Sequence, residues 1–167
     1  MLTAKNACTE RHATYVALTG LFVALLGAFS LFQHRKGKPD EFKALDLAML
    51  GLATFRLGRL VAYDKVFETE RLAFTQTVPH ESGAGDTVVA AGTGARQAIG
   101  ELIACPICAG TWISAVLIYA LGVVPGPARI FLRVMAAMGL VEVINAGNEA
   151  LQWTGEAARI RAGSSQH

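Results

Sequence analysis

The chain has 167 residues, 53% of them hydrophobic and 17% charged, where an ordinary soluble domain carries roughly a quarter charged. Its net charge of +2 is too small an excess for the clustered basic face that nucleic-acid binding requires, and that class is excluded. Three cysteines, an odd number, do not make the disulfide framework of a small secreted domain.

The apolar residues fall in blocks and not at amphipathic spacing, which is the pattern of a chain solvated by lipid. The first block, Ala13 to Gln33, runs 21 residues without a charge, close to the ~20 a helix needs to cross the hydrocarbon core. It is longer than a signal-peptide core, and the basic run His34-Arg35-Lys36-Gly37-Lys38 behind it reads as a flank and not a cleavage site. Residues 1–12 form an N-terminal flank.

The second block, about Ala44 to Tyr63, is interrupted by Asp46, Arg56 and Arg59, so it spans only if those charges are sheltered inside a bundle. A polar stretch, Asp64 to Glu101, follows. Its middle, with Pro79, Ser82-Gly83-Ala84-Gly85 and Gly92-Thr93-Gly94, reads as mobile loop. Its two ends mix apolar and charged residues and read as short helices, either lying on the membrane surface or solvated.

From Leu102 to Ala128 no charge appears. Within that run Ala109 to Val124 predicts a third helix, stopped by Pro125-Gly126-Pro127, which turns the chain into a fourth helix over Ala128 to Leu151. The expected fold is all-α: an integral membrane bundle of about four transmembrane helices over residues 13–154, multi-pass in a cell membrane. Residues 155–167 show no apolar pattern and read as a flexible tail.

In such a bundle the second and fourth helices run in the same direction, and their later halves share one membrane side with the start of the third. Arg56, Arg59 and Tyr63 stand at i, i+3 and i+7, and so do Glu142, Asn145 and Glu149; each set shares one helix face. A charge facing lipid near the bilayer centre costs about 2.5–3.5 kcal/mol by insertion scales, so the two stripes gain by meeting. An ion pair of Arg56 or Arg59 with Glu142 is predicted, with Asp64 at the edge of the cluster. The competing arrangement puts both stripes near the interface, the arginines snorkelling to headgroups. Gly51, Gly58, Gly110 and Gly139 are placed to let helices approach closely.

Cys105-Pro106-Ile107-Cys108 opens the third helix. Thiols at that spacing form a disulfide or hold one metal together, and a helix N-terminus favours the thiolate of the first. As a redox centre the pair calls for a second cysteine pair, for which Cys8 is the sole candidate, with a quinone as electron acceptor. As a zinc site it supplies two of four ligands, leaving His80, His12 or a second protomer to complete the set. As a structural element it is a pair of small buried side chains at a tight helix start, with proline suited to the first turn.

The blocks Ala53-Thr54-Phe55-Arg56-Leu57-Gly58-Arg59-Leu60-Val61-Ala62-Tyr63-Asp64-Lys65 and Gly100-Glu101-Leu102-Ile103-Ala104-Cys105-Pro106-Ile107-Cys108-Ala109-Gly110-Thr111-Trp112, with Arg71 and Phe74 between them, resemble a bacterial membrane family called domain of unknown function 1360. The resemblance covers roughly Leu47 to Val143. Members often have a small hydroxyl residue where this chain has Gly58. The resemblance implies a membrane protein, sometimes linked to sporulating Gram-positive bacteria, and implies no activity.

The residues favour a noncatalytic scaffold or accessory subunit whose partners are the lipid bilayer and either further copies of itself or a larger membrane complex. The alternative is a thiol-disulfide redox protein or a zinc-clipped dimer using Cys105 and Cys108; only there would zinc or a quinone enter. A transporter is a third class, for which four helices are few. Lysine and arginine counts divide between the two sides; the total favours the side carrying Cys105 and Cys108 as cytoplasmic.

Overall fold

The computed structural model describes residues 2–36, 43–80 and 86–164. Its elements are α1 (Leu2–Lys36), α2 (Ala44–Tyr63), a 3₁₀ turn (Lys65–Phe67), α3 (Glu68–Arg71), β1 (Thr75–Pro79), β2 (Asp86–Ala90), α4 (Gly94–Ala104), α5 (Pro106–Val123) and α6 (Pro125–Ser164).

The helix predicted around the second block is the centre of the molecule. α2 packs chiefly against α6 and α5, and its Ala53 and Ala62 are completely covered. The core gathers Leu50 and Ala53 of α2 with Leu117 of α5 and Leu132 and Ala136 of α6, ringed by Leu52, Leu57, Ile113 and Met135. Small residues set the spacing. A Cβ at Gly139 of α6 would run into the backbone of Leu52, and one at Gly58 of α2 would sit 2.5 Å from the Pro106 carbonyl oxygen at the start of α5. Gly110 lies against the Thr54 methyl, whereas Gly51 faces open space. Gly139 meets Leu52 and, one turn on, Glu142 meets Arg59, so α2 and α6 run parallel.

α1 leans on the outside of this three-helix core. It touches α4 and the outer face of α5, where Phe22 meets Trp112 edge-on at 5.1 Å and Phe29 lies 4.2 Å from Tyr119. The rest of its surface is bare: Val16 is 73% and Leu31 66% exposed. Ile107, Val116, Ile130, Val141 and Ile144 are exposed on α5 and α6 as well. A monomer in water does not tolerate an apolar surface of this extent, whereas lipid solvates it at no cost.

Three helical segments are long and apolar enough to cross a membrane: Thr9–Arg35, Pro106–Val123 and Pro125–Glu156. Length and composition thus mark three of the about four expected spans among the described residues. α2 falls short because Asp46, Arg56 and Arg59 all lie within its 20 residues.

The polar stretch departs most from the sequence reading. Where a mobile loop is predicted, β1 and β2 form an antiparallel hairpin in which Thr75 faces Ala90 and Pro79 faces Asp86, so the fold is not purely helical. The strands are rich in β-branched residues, Thr75, Thr77 and Val78 against Thr87, Val88 and Val89, which suit a pleated surface and lower helix propensity. Ser82-Gly83-Ala84-Gly85 lies outside the described residues. The helical ends are present, as the turn with α3 on one side and α4 on the other, and α4 packs on β2 and α1.

Helix limits differ too. α5 begins at Pro106, three residues before the predicted start, and the chain reverses at Val124, with Pro125 and Pro127 inside the first turn of α6. Proline is tolerated there because first-turn N–H groups have no helical partner. α1 is helical from Leu2, through the segment read as a flank, and α6 continues to Ser164, through the segment read as a tail.

Candidate functional site

The end of α2, the start of α5 and the middle of α6 meet at one end of the bundle. The i, i+3 spacing places Arg56 and Arg59 on the α2 face turned toward α6, and Glu142 of α6 stands between them. Arg59 Nε donates to Glu142 Oε1, and Arg56 lies 3.7 Å from Glu142 Oε2. Arg56 reaches in the other direction to Asp64, at 2.6 Å. Charges thus alternate along Asp64, Arg56, Glu142 and Arg59. Arg56 is the better covered arginine; Arg59 is nearly half exposed, its guanidinium 5.8 Å from the Phe55 ring centroid and 5.7 Å from that of Tyr63. Tyr63 itself is exposed. Asn145 and Glu149, which share the Glu142 stripe, are exposed further along α6 and take no part in these contacts.

Arg71 completes this end in a way that spacing alone does not reveal. It is 6% exposed, and its guanidinium donates to the backbone oxygens of Asp64 at 2.6 Å and Tyr63 at 3.3 Å. Carbonyls in the last turn of a helix have no helical donors, and a cation there also meets the negative end of the helix dipole. Arg71 therefore pins the hairpin region onto α2. Thr75 Oγ1 and Phe74 N both donate to the Arg71 carbonyl, fixing the start of β1.

A second polar contact joins α1 to α4. Glu101 accepts hydrogen bonds from Tyr15, from Gln97 at 3.1 Å and from Arg11 at 3.4 Å. Tyr15 and Arg11 lie in the amino-terminal part of α1, and their pairing with a residue 86 to 90 positions away has no local sequence signal.

Cys105 and Cys108 are free thiols. Cys105 is the N-cap of α5: its sulfur accepts the backbone N–H of Cys108 at 3.3 Å, and Pro106 takes the first helical position. That contact has the geometry by which serine or aspartate caps a helix. The Cys108 side chain, donating to Cys105, together with nearby backbone N–H groups holds the Cys105 thiol below its ordinary range despite partial burial. Cys108 is exposed on the side of α5 that carries Trp112 and faces α1. Among the described residues no group of three His, Cys, Asp or Glu side chains is placed to hold a metal ion. The Cys8 side chain lies outside the described residues.

A groove of about 660 Å³ runs between α2 and α5, with Arg59, Tyr63 and Ile107 at one end and Gly51 and Ser114 at the other. Neither cysteine lines it.

The profile of a family described as "Protein of unknown function (DUF1360)" matches residues 49–147, from within α2 to the middle of α6. This chain belongs to the DUF1360 family. The match takes in Arg56, Arg59, Asp64, Arg71, Glu101, both Cys105 and Cys108, and Glu142, and leaves α1 and the last part of α6 outside. The "Sporulation protein YjcA" of Bacillus subtilis (strain 168) is 34% identical over 103 residues, which are 60% of this chain and 87% of that relative. No solved structure matches the chain.

Proposed function

We propose that this DUF1360 protein is a multi-pass membrane protein in which α2 is a fourth, interior span, and that it acts without catalysis as a scaffold or accessory subunit of a membrane assembly. The observation that carries this reading is the packing of α2 between α5 and α6 with Arg56 and Arg59 turned onto Glu142 and Asp64. Charges that disqualify a helix facing lipid are acceptable in one surrounded by protein and paired with opposite charge. The side chains at this end of the bundle hold one another, which suits packing and docking more than turnover. The name of the relative from Bacillus subtilis suggests an assembly that serves sporulation. The multi-pass arrangement also suits residence in the cell membrane.

Solubility behaviour and labelling test this. The full chain should require detergent to remain monodisperse, and affinity capture from membranes should recover a stable partner or further copies of itself. Recovery of the chain alone as a detergent-bound monomer would remove the accessory-subunit reading.

The lowered thiol of Cys105 beside Cys108 favours one second reading, a thiol-disulfide couple. Site-resolved thiol trapping separates the two: a Cys105–Cys108 disulfide that forms and is reduced during growth, with function lost in Cys105→Ser, supports the couple and overturns the scaffold. Zinc bound at half an equivalent per chain, lost in Cys108→Ser, would instead mark a metal-clipped dimer.

A further inference from the structure

We infer that the groove between α2 and α5 is a binding site for one anionic phospholipid, its phosphate at Arg59 and one acyl chain along the groove toward Gly51 and Ser114. The inference rests on the reading of α2 as an interior span.

The groove is graded as a lipid is graded. Its end at the close of α2 and the opening of α5 carries Arg59 and the Tyr63 ring; its other end lies deeper along both helices, at Gly51 and Ser114. From Tyr63 back to Gly51 is about 18 Å at 1.5 Å per residue, a headgroup-to-midchain distance in a ~30 Å core. The hydroxyls of the α5 wall do not ask for a partner, since Thr111 Oγ1 donates to the Ile107 carbonyl at 3.2 Å and Ser114 Oγ to that of Thr111 at 2.9 Å. That wall is apolar in effect.

Charge selects the headgroup. In the row Asp64, Arg56, Glu142, Arg59, each inner member lies between two opposite charges, while Arg59 is the cationic end and stands at the groove mouth. Only its Nε is engaged; among the described residues its two terminal nitrogens make no hydrogen bond. A guanidinium with donors left over, near the Phe55 and Tyr63 rings, offers a fork that matches phosphate oxygens. The Arg59 guanidinium itself repels a second cation at the mouth, so a cationic or purely apolar occupant leaves its free donors unmet.

The test uses the full chain purified in detergent and native mass spectrometry with added phosphatidylglycerol or phosphatidylcholine. One phosphatidylglycerol should be retained per chain, roughly tenfold better than phosphatidylcholine, whose choline cation offsets the phosphate charge that Arg59 meets. Arg59→Gln should bring the two lipids level, and Ser114→Phe, which fills the deep end away from the ion pairs, should weaken both. Equal retention of the two lipids by the unaltered chain, or undiminished phosphatidylglycerol on Ser114→Phe, overturns the proposal. If Ser114→Phe instead converts a dimer to a monomer, the groove belongs to a second copy and the proposal falls. Arg59→Lys and Ser114→Phe decide the matter should Arg59→Gln fail to fold. A chain monodisperse without detergent would overturn the membrane reading itself, whereas one that needs detergent and keeps no lipid overturns this inference alone.

Discussion

Arg71 is the side chain on which two parts of the molecule depend. It is buried, and two carbonyls at the end of α2 have it as donor. Arg71→Ala leaves the Tyr63 carbonyl without this donor and the Asp64 carbonyl with the Phe67 N–H alone, and should lower stability by about 3 kcal/mol, the cost of losing two hydrogen bonds to a charged group. Detergent-phase unfolding followed by circular dichroism measures it; a loss below about 1 kcal/mol, within the range of a neutral hydrogen bond, would mean that water replaces the guanidinium. Cys105 has a capping role separable from thiol chemistry. Cys105→Ser should keep the cap and the stability, while Cys105→Val should lose about 1 kcal/mol. Because its pKa is depressed in the folded state, the thiolate adds stability that is present above the unfolded thiol's value and is lost as pH falls through the folded one. Site-resolved alkylation should accordingly begin at a lower pH for Cys105 than for an ordinary thiol, and Cys108→Ala should move it back up. Helical spacing turns Arg56 and Arg59 to one side and makes their approach to Glu142 legible, whereas it says nothing of where α6 stops facing α2, and Asn145 and Glu149 stand outside these contacts. Arg71, and the Glu101 contacts with Tyr15 and Arg11, are not legible, since each joins residues whose approach depends on how separate elements pack.

At the scale of elements, α2 carries the decisive prediction. Lys43 precedes it and Lys65 follows it. In an otherwise cysteine-free chain, Lys43→Cys and Lys65→Cys should react with a membrane-impermeant maleimide from opposite faces of the membrane; reaction from the same face would make α2 a re-entrant or surface helix. The approach of α2 to α6 is equally exposed to test. Gly139→Leu drives a side chain into the Leu52 backbone, and overpacking of this kind costs typically 1–3 kcal/mol, so the folded fraction in detergent should fall, as limited proteolysis reports. Apolar blocks marked α1, α5 and α6 plainly, because length without charge is a strong signal. The hairpin was hidden by its loop. Thr75–Pro79 and Asp86–Ala90 are short, and the glycine-rich link between them draws the eye to disorder, although β-branched runs on both sides of such a link are a hairpin signature. The Pro-Gly-Pro sequence was read as the turn itself, whereas proline is as much at home in the first turn of the helix that follows.

Over the whole molecule, the three helices α2, α5 and α6 make one core while α1 stands aside, held by aromatic contacts with α5 and by Glu101. The family match follows the same division, since it covers the core and the hairpin and omits α1. α6 is the longest helix of the described residues. With 40 residues it is about 60 Å long, twice the hydrocarbon depth of a bilayer. It is rooted in the bundle through Leu132, Ala136 and Glu142, while residues 143–156 are almost all exposed, so removing whole turns from its later half should leave the ion pairs of Arg56 and Arg59 in place.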